Sequence, residues 1–172
     1  IDVPSPDSDD DARGFENART TLNFSGTIAG DYGYDIRLTW GAAWEAATTE
    51  WAYGTMDLGD GWTMSAGTMK LPTNREWMIN AEYQLAVERS TTSAIAFGAG
   101  DSMSATSTGL MFNYTGDEIR FWFGYMNGLS DRGSPDGSYS DNDRSTTWIV
   151  RGEYMLDGTW DQFDEFTSQN DG

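Results

Sequence analysis

The chain has 172 residues, with 10 Lys or Arg against 28 Asp or Glu, and its formal net charge is −18. This charge excludes nucleic acid as a partner, because neutralising phosphates requires clustered cations. The sequence holds no Cys and no His, which removes disulfides, thiolate ligands and the commonest general base. We therefore expect no enzyme activity, no metal site and no cofactor.

The N-terminal residues and the distribution of apolar residues indicate which targeting and membrane segments the sequence contains. No run approaches the roughly 18 apolar residues of a membrane helix, and residues 1–6 lack the basic and apolar regions of a signal peptide. Residues 1–14 contain two Pro and an acidic run, which predicts a solvated segment or an exposed loop. One Lys beside eight Trp, eight Tyr and eight Phe indicates a surface that does not face water everywhere.

Apolar and polar residues alternate with a period of two over 15–28 and again over 34–40. Leu22 and Phe24 fall on the apolar phase, and Ser25 falls on the polar one. The intervening Ala-Gly-Asp-Tyr-Gly is typical of a turn. The first part of the chain therefore predicts a β-hairpin with one wet face.

A third strand is predicted over 49–58 and a fourth over 62–69, joined by a Gly-Asp-Gly turn. Pro72 ends the fourth strand, because proline lacks the N–H that a central strand donates. The next strand begins only near Thr108, and so long a loop in a compact domain indicates a functional segment. Apolar residues at helical spacing predict a short helix within 75–87 of this loop.

The same alternation returns in the second half of the chain. Strands are predicted over 110–115, 119–125 and 148–156, with a long Gly-, Ser- and Asp-rich loop over 128–144. An Asp-Gly pair then predicts a turn into an eighth strand over 159–166.

Four arginines share the polar phase of the predicted strands: Arg19, Arg37, Arg120 and Arg151. A lipid-facing Arg would cost about 2–4 kcal/mol at the middle of a bilayer, so this arrangement leaves the apolar phase suited to lipid. The connections also alternate between tight turns and longer loops, as in outer-membrane barrels. Aromatic residues crowd the strand ends, as interfacial girdles require: Tyr32, Tyr34, Trp62, Tyr114 and Trp160 near the turns, and Trp44, Trp51 and Tyr125 near the loops. The pattern predicts an all-β fold, a transmembrane antiparallel β-barrel.

Three alternatives fit parts of the same pattern. A soluble lipocalin-like barrel would hide its apolar phase inside. A soluble Trp-rich β-sandwich could serve as a carbohydrate-binding module, with exposed Trp side chains as its platform. A small, non-conducting membrane barrel could serve as an anchor.

A series of short motifs runs along most of the chain. The first group begins at the turn before the fourth predicted strand and extends through that strand into the long loop that follows it. It consists of Leu-Gly-Asp-Gly-Trp at 58–62, Gly67, Lys-Leu-Pro at 70–72, Arg-Glu at 75–76 and Leu-Ala-Val-Glu-Arg-Ser at 85–90. Further motifs are Arg-Gly-Phe-Glu at 13–16, Leu-Asn-Phe-Ser-Gly at 22–26, Gly-Tyr-Met-Asn-Gly at 124–128, Gly-Glu-Tyr at 152–154 and Trp-Asp-Gln-Phe at 160–163. Together they resemble the phosphate-selective porin O and P family over about residues 13–166.

The resemblance implies a homotrimeric porin of the bacterial outer membrane, with 16 strands and a third loop that folds into the lumen. Its partners would be membrane lipid and small hydrophilic solutes or ions. Residues 15–172 would then be the N-terminal or middle portion of the barrel, about eight strands, with 70–105 as the inward-folded constriction loop. The C-terminus lacks the aromatic end residue of a finished barrel, so we expect a truncated chain. A complete eight-stranded barrel is the alternative.

The candidates for the pore constriction are the charged residues of the third loop: Lys70, Arg75, Glu76, Glu88 and Arg89. Their charges would set the selectivity of the pore. Alternatively, each adjacent Arg–Glu pair cancels locally and holds the loop against the wall.

The four strand arginines, Arg19, Arg37, Arg120 and Arg151, are predicted to face the lumen. They would either contact solutes or, as we favour, form ion pairs on the wall with Asp35, Glu118 or Glu153. Phosphate selectivity in the family rests on a ladder of arginines and lysines, whereas this loop has few cations and the chain is strongly acidic. We therefore predict passive diffusion of small hydrophilic solutes or ions, anions included, through a weakly selective pore without phosphate specificity.

Overall fold

The computed structural model describes residues 20–40, 47–80, 83–84, 90–96, 106–127 and 146–164. Within these residues, seven strands form one antiparallel sheet in chain order: Thr20–Ile28 (β1), Tyr32–Trp40 (β2), Thr48–Gly59 (β3), Trp62–Lys70 (β4), Thr106–Thr115 (β5), Ile119–Asn127 (β6) and Thr146–Tyr154 (β7). The helices are Arg75–Met78 (α1), Thr91–Ala96 (α2) and Trp160–Phe163 (α3). No helix of the described part is both long and apolar enough to cross a membrane.

Tight turns join the strands at one end of the sheet. The β3–β4 turn places Asp60 at φ 51° between Gly59 and Gly61, at φ 84° and 81°. These are left-handed conformations, which favour glycine and match the twist of a hairpin. A Cβ on Gly61 would lie 2.5 Å from the carbonyl oxygen of Thr115 on β5. The turn therefore requires glycine both for its backbone conformation and for its contact with the next hairpin.

One face of the sheet is apolar and exposed. Cross-strand pairs place Phe24 beside Ile36, and Phe123 beside Val150. We call the surface they share the apolar face; it includes Leu22, Phe24, Ile36, Leu110, Phe123, Tyr125, Trp148 and Val150. Trp148 and Val150 are each 63% exposed. A water-soluble sheet buries this phase of its alternation, so the arrangement is that of a wall that faces lipid.

The opposite face, which we call the polar face, carries the buried residues. Its cross-strand pairs include Arg37 with Trp51 and Trp122 with Arg151. The core cluster also lies here, formed by Met69, Leu71, Met111 and Met126, with Tyr53, Trp122 and Ile149 packed against it. Leu71 belongs to the chain that follows β4. The second layer of the structure is thus the third loop, packed on the polar face.

The predicted eighth strand over 159–166 is wrong for its described part, because residues 160–163 form α3; residues 165–166 lie outside the described residues. The backbone N–H of Thr159 donates to Gln162 Oε1 at 3.1 Å, and Asp161 lies in the first helical turn. Both features stabilise a helix start rather than a strand. The short helix predicted within 75–87 is present as α1, where Asn74 Oδ1 accepts from the Trp77 N–H at 2.6 Å.

Two aromatic residues assigned to the girdles lie elsewhere. The β2–β3 register runs unbroken from the Tyr32–Met56 pair to the Arg37–Trp51 pair, so Trp51 lies with Arg37 on the polar face, and the register shifts only after this pair. Trp51 is consequently buried. Trp160 lies in α3, and its indole N–H donates to the carbonyl oxygen of Gly116 at 2.8 Å. Neither residue lies on the apolar face.

Candidate functional site

The segment 71–80 crosses the polar face and closes against it. Leu71 and Trp77 are each 1% exposed, and Ile79 is also buried. Arg151 of β7 donates to the carbonyl oxygen of Pro72 at 3.5 Å. Burying such apolar side chains is worth about 1.5–3 kcal/mol each, so the segment is held mainly by packing.

Lys70, a predicted constriction residue, fixes the base of this segment. Its ammonium donates to Asn80 Oδ1 at 2.7 Å and to the carbonyl oxygen of Trp77 at 3.2 Å. It also lies 5.0 Å from the ring centroid of Trp51 and 5.6 Å from that of Trp77. Cation–π contacts of a partly desolvated ammonium add attraction of about 0.5–2 kcal/mol. The cation therefore joins the loop to β3.

Arg75 and Glu76 contact different parts of the chain. The Arg75 guanidinium donates twice to the carbonyl oxygen of Phe163, at 2.9 and 2.7 Å. The Glu76 carboxylate accepts from the N–H and the hydroxyl of Ser90, both at 2.6 Å, and from the hydroxyl of Ser93. Arg75 thus ties α1 to α3, and Glu76 ties α1 to α2. The other two constriction candidates, Glu88 and Arg89, lie outside the described residues.

The wall arginines are engaged by acids and by aromatic rings. Arg37 lies 3.4 Å from Glu50, with both side chains 7% exposed. Arg151 pairs with Glu153, one of the acids expected as a partner. Asp35 instead accepts from the Trp51 indole at 2.7 Å. Arg19 lies outside the described residues.

The acid that pairs with Arg120 was not anticipated from sequence. The two terminal nitrogens of Arg120 donate to the two carboxylate oxygens of Asp164, at 2.7 and 2.9 Å. Its guanidinium carbon also lies 4.2 Å from the ring centroid of Trp160. The expected partner Glu118 accepts from the Tyr154 hydroxyl at 3.1 Å. No local sequence signal links Arg120 to Asp164, because 44 residues separate them.

Three of these arginines line one cavity of about 490 Å³, between the polar face, α1 and α3. We call this cavity the arginine pocket. Arg120 and Arg151 come from the wall and Arg75 from the loop, and aromatic side chains of Trp122, Trp160 and Phe163 complete much of the lining. Within the described residues no group of His, Cys, Asp or Glu is arranged to hold a metal ion. The chemistry that the pocket offers is hydrogen bonding, ion pairing and stacking.

An exposed apolar face, a polar face and a loop packed on that polar face are the features of an outer-membrane porin wall. The family model for phosphate-selective porin O and P matches residues 1–167. The chain therefore belongs to the phosphate-selective porin O and P family, and its membership confirms the resemblance noted in its motifs. No individual curated protein matches the sequence.

Proposed function

We propose that the chain forms pore wall and constriction loop of a porin in the bacterial outer membrane, through which small hydrophilic solutes and ions diffuse passively. The observation that carries this proposal is the opposed character of the two faces: large apolar side chains of β1, β2, β5, β6 and β7 are exposed on the apolar face, and the segment 71–80 covers part of the polar face. Residues 15–172 belong to the barrel in this proposal, and 1–14 remain a solvated segment.

Residues 70–105 form the inward-folded constriction loop in this proposal. Packing of Leu71, Trp77 and Ile79 on the polar face supports this assignment for the first part of the loop. Arg75, with the wall residues Arg120 and Arg151, then lies along the solute path. Lys70 has a different role, because its ammonium is engaged by Trp77 and Asn80 at the wall.

The pore is proposed to be weakly selective, without phosphate specificity. Arg37, Arg120 and Arg151 each have a carboxylate partner, so the wall presents ion pairs rather than a row of uncompensated cations. The chain as a whole carries a net charge of −18. A ladder that strips the hydration shell from phosphate requires excess positive charge along the path.

Reversal potentials of single channels in a planar bilayer test the selectivity. With the porin that includes this chain reconstituted and a salt gradient applied, we expect anion and cation permeabilities within about threefold of each other, as paired wall charges dictate. A strongly anion-selective channel that sub-millimolar phosphate blocks would overturn the proposed selectivity. A preparation that never conducts would overturn the porin function itself.

We further propose that the assembly is a homotrimer, in which part of the apolar face contacts a second copy rather than lipid. An apolar wall suits either neighbour, because lipid tails and aliphatic side chains are equally apolar. Chemical cross-linking of the protein in membranes should give a ladder that ends at three copies. A single uncross-linked band under the same conditions would contradict the trimer.

A further inference from the structure

The arginine pocket has a composition that simple ion passage does not require. Its lining holds three guanidinium groups, of Arg75, Arg120 and Arg151, together with the carboxylates of Glu153 and Asp164. Its volume of about 490 Å³ is within the range of about 300–1,000 Å³ typical of small-molecule sites. The pocket lies on the polar face, and the inference below therefore rests on the proposed porin function.

Each arginine of the pocket is paired with an aromatic ring. Arg120 lies 4.2 Å from the Trp160 ring centroid, and Arg75 lies 5.0 Å from that of Phe163. Arg151 lies 5.7 Å from the Trp122 ring. A guanidinium group stacked on a ring directs its N–H edge toward planar acceptors, here Asp164 for Arg120, while the rings give the pocket apolar walls. Such a lining suits a ligand that has both a carboxylate and a flat apolar body.

Asp164 already shows how a carboxylate binds here. Its two oxygens accept from the two terminal nitrogens of Arg120, which is the bidentate geometry of arginine–carboxylate recognition. The Arg120 side chain is 14% exposed, whereas that of Asp164 is 54% exposed. The cation is therefore fixed in the wall, and the anion lies where another carboxylate can replace it.

We propose that the arginine pocket is a binding subsite for small aromatic carboxylates, and that Asp164 is an internal competitor for Arg120. An entering carboxylate takes the two hydrogen bonds of Asp164, and its ring packs among Trp122, Trp160 and Phe163. Inorganic phosphate gains only the polar part of this contact, because it has no apolar body. The subsite thus favours aromatic carboxylates over phosphate.

Quenching of tryptophan fluorescence by 4-nitrobenzoate measures binding directly, with the full chain in detergent micelles. Asp164→Asn should bind this probe about threefold more tightly, the effect expected from removing a half-exposed competing ion pair. Asp161→Asn is the matched control, because it removes the same charge from the same helix but outside the pocket lining. It should change affinity less than about 1.5-fold, as a solvent-screened charge does. Arg120→Gln should weaken binding about tenfold or more.

The sign of the Asp164→Asn effect decides the proposal. If Asp164 only held α3 in place, its removal would loosen the pocket and weaken binding. An unchanged or weaker affinity in Asp164→Asn therefore overturns the subsite even if Arg120→Gln fails to fold. Equal binding of uncharged 4-nitrobenzyl alcohol, or displacement of the probe by equimolar phosphate, also overturns it. Conductance of the porin that includes this chain is measured separately: conductance without probe binding refutes the subsite alone, and probe binding without conductance refutes the pore alone.

Discussion

Replacing Trp77 with Ala is expected to destabilise the protein more than any other single change in the third loop. The side chain is 1% exposed, and its ring and carbonyl oxygen both contact Lys70. Truncating a buried Trp leaves a cavity that costs about 3–5 kcal/mol. The same change should also release the segment 71–80 from the polar face, and in the proposed porin it should raise the single-channel conductance, because a released loop narrows the path less.

Urea unfolding of the protein in detergent and conductance in a planar bilayer are the two measurements. Tyr83→Ala is the control, because Tyr83 follows in the same loop and is exposed. It should change the unfolding free energy by no more than about 0.5 kcal/mol and leave the conductance unaltered. If Trp77→Ala unfolds and conducts as the parent does, the loop is not held on the polar face by this residue.

The sheet could be predicted from the sequence because its signals are local. Period-two alternation around Phe24 and Ile36 and the glycines at 59 and 61 specify strands and turns without reference to distant residues. The same alternation predicts which residues lie on the polar face of the sheet, since Arg37, Arg120 and Arg151 share a phase. The helix α3 also had a local signal, Thr159 with Gln162 three residues later, but the preceding Asp-Gly turn favoured a strand.

The contacts of the site were not predictable in the same way. Trp51 pairs with Arg37 on the polar face, whereas an aromatic ring near a strand end suggested an interfacial girdle. The Lys70 site depends on Trp51, so its role in holding the loop was hidden. Arg75 contacts Phe163, which lies 88 residues later in the chain. The sequence suggested the adjacent Glu76 as the partner of Arg75 instead. The sequence alternation placed Arg37, Arg120 and Arg151 on one face, whereas tertiary packing determined which groups each of them contacts.

Replacing Phe24 with Arg tests whether the apolar face contacts lipid. Phe24 lies in the middle of β1, pairs with Ile36 and is 51% exposed. In water such an exposed side chain could become Arg with little change in stability. At the middle of a bilayer the same change costs about 2–4 kcal/mol. We therefore expect Phe24→Arg to reduce the unfolding free energy by that amount in lipid vesicles and to lower the fraction that inserts.

Ser25→Arg is the matched control, because it introduces the same side chain one residue later on the other face. Ser25 is exposed and lies opposite Asp35, so the new guanidinium has water and a carboxylate nearby. Its stability in vesicles should stay within about 0.5 kcal/mol of the parent. Equal stability of the two variants would mean that β1 has water on both faces, and the porin wall would then have to be abandoned for a soluble sheet. A penalty of about 2–4 kcal/mol confined to Phe24→Arg has no explanation in a soluble protein, because both side chains are exposed and water would solvate either new guanidinium.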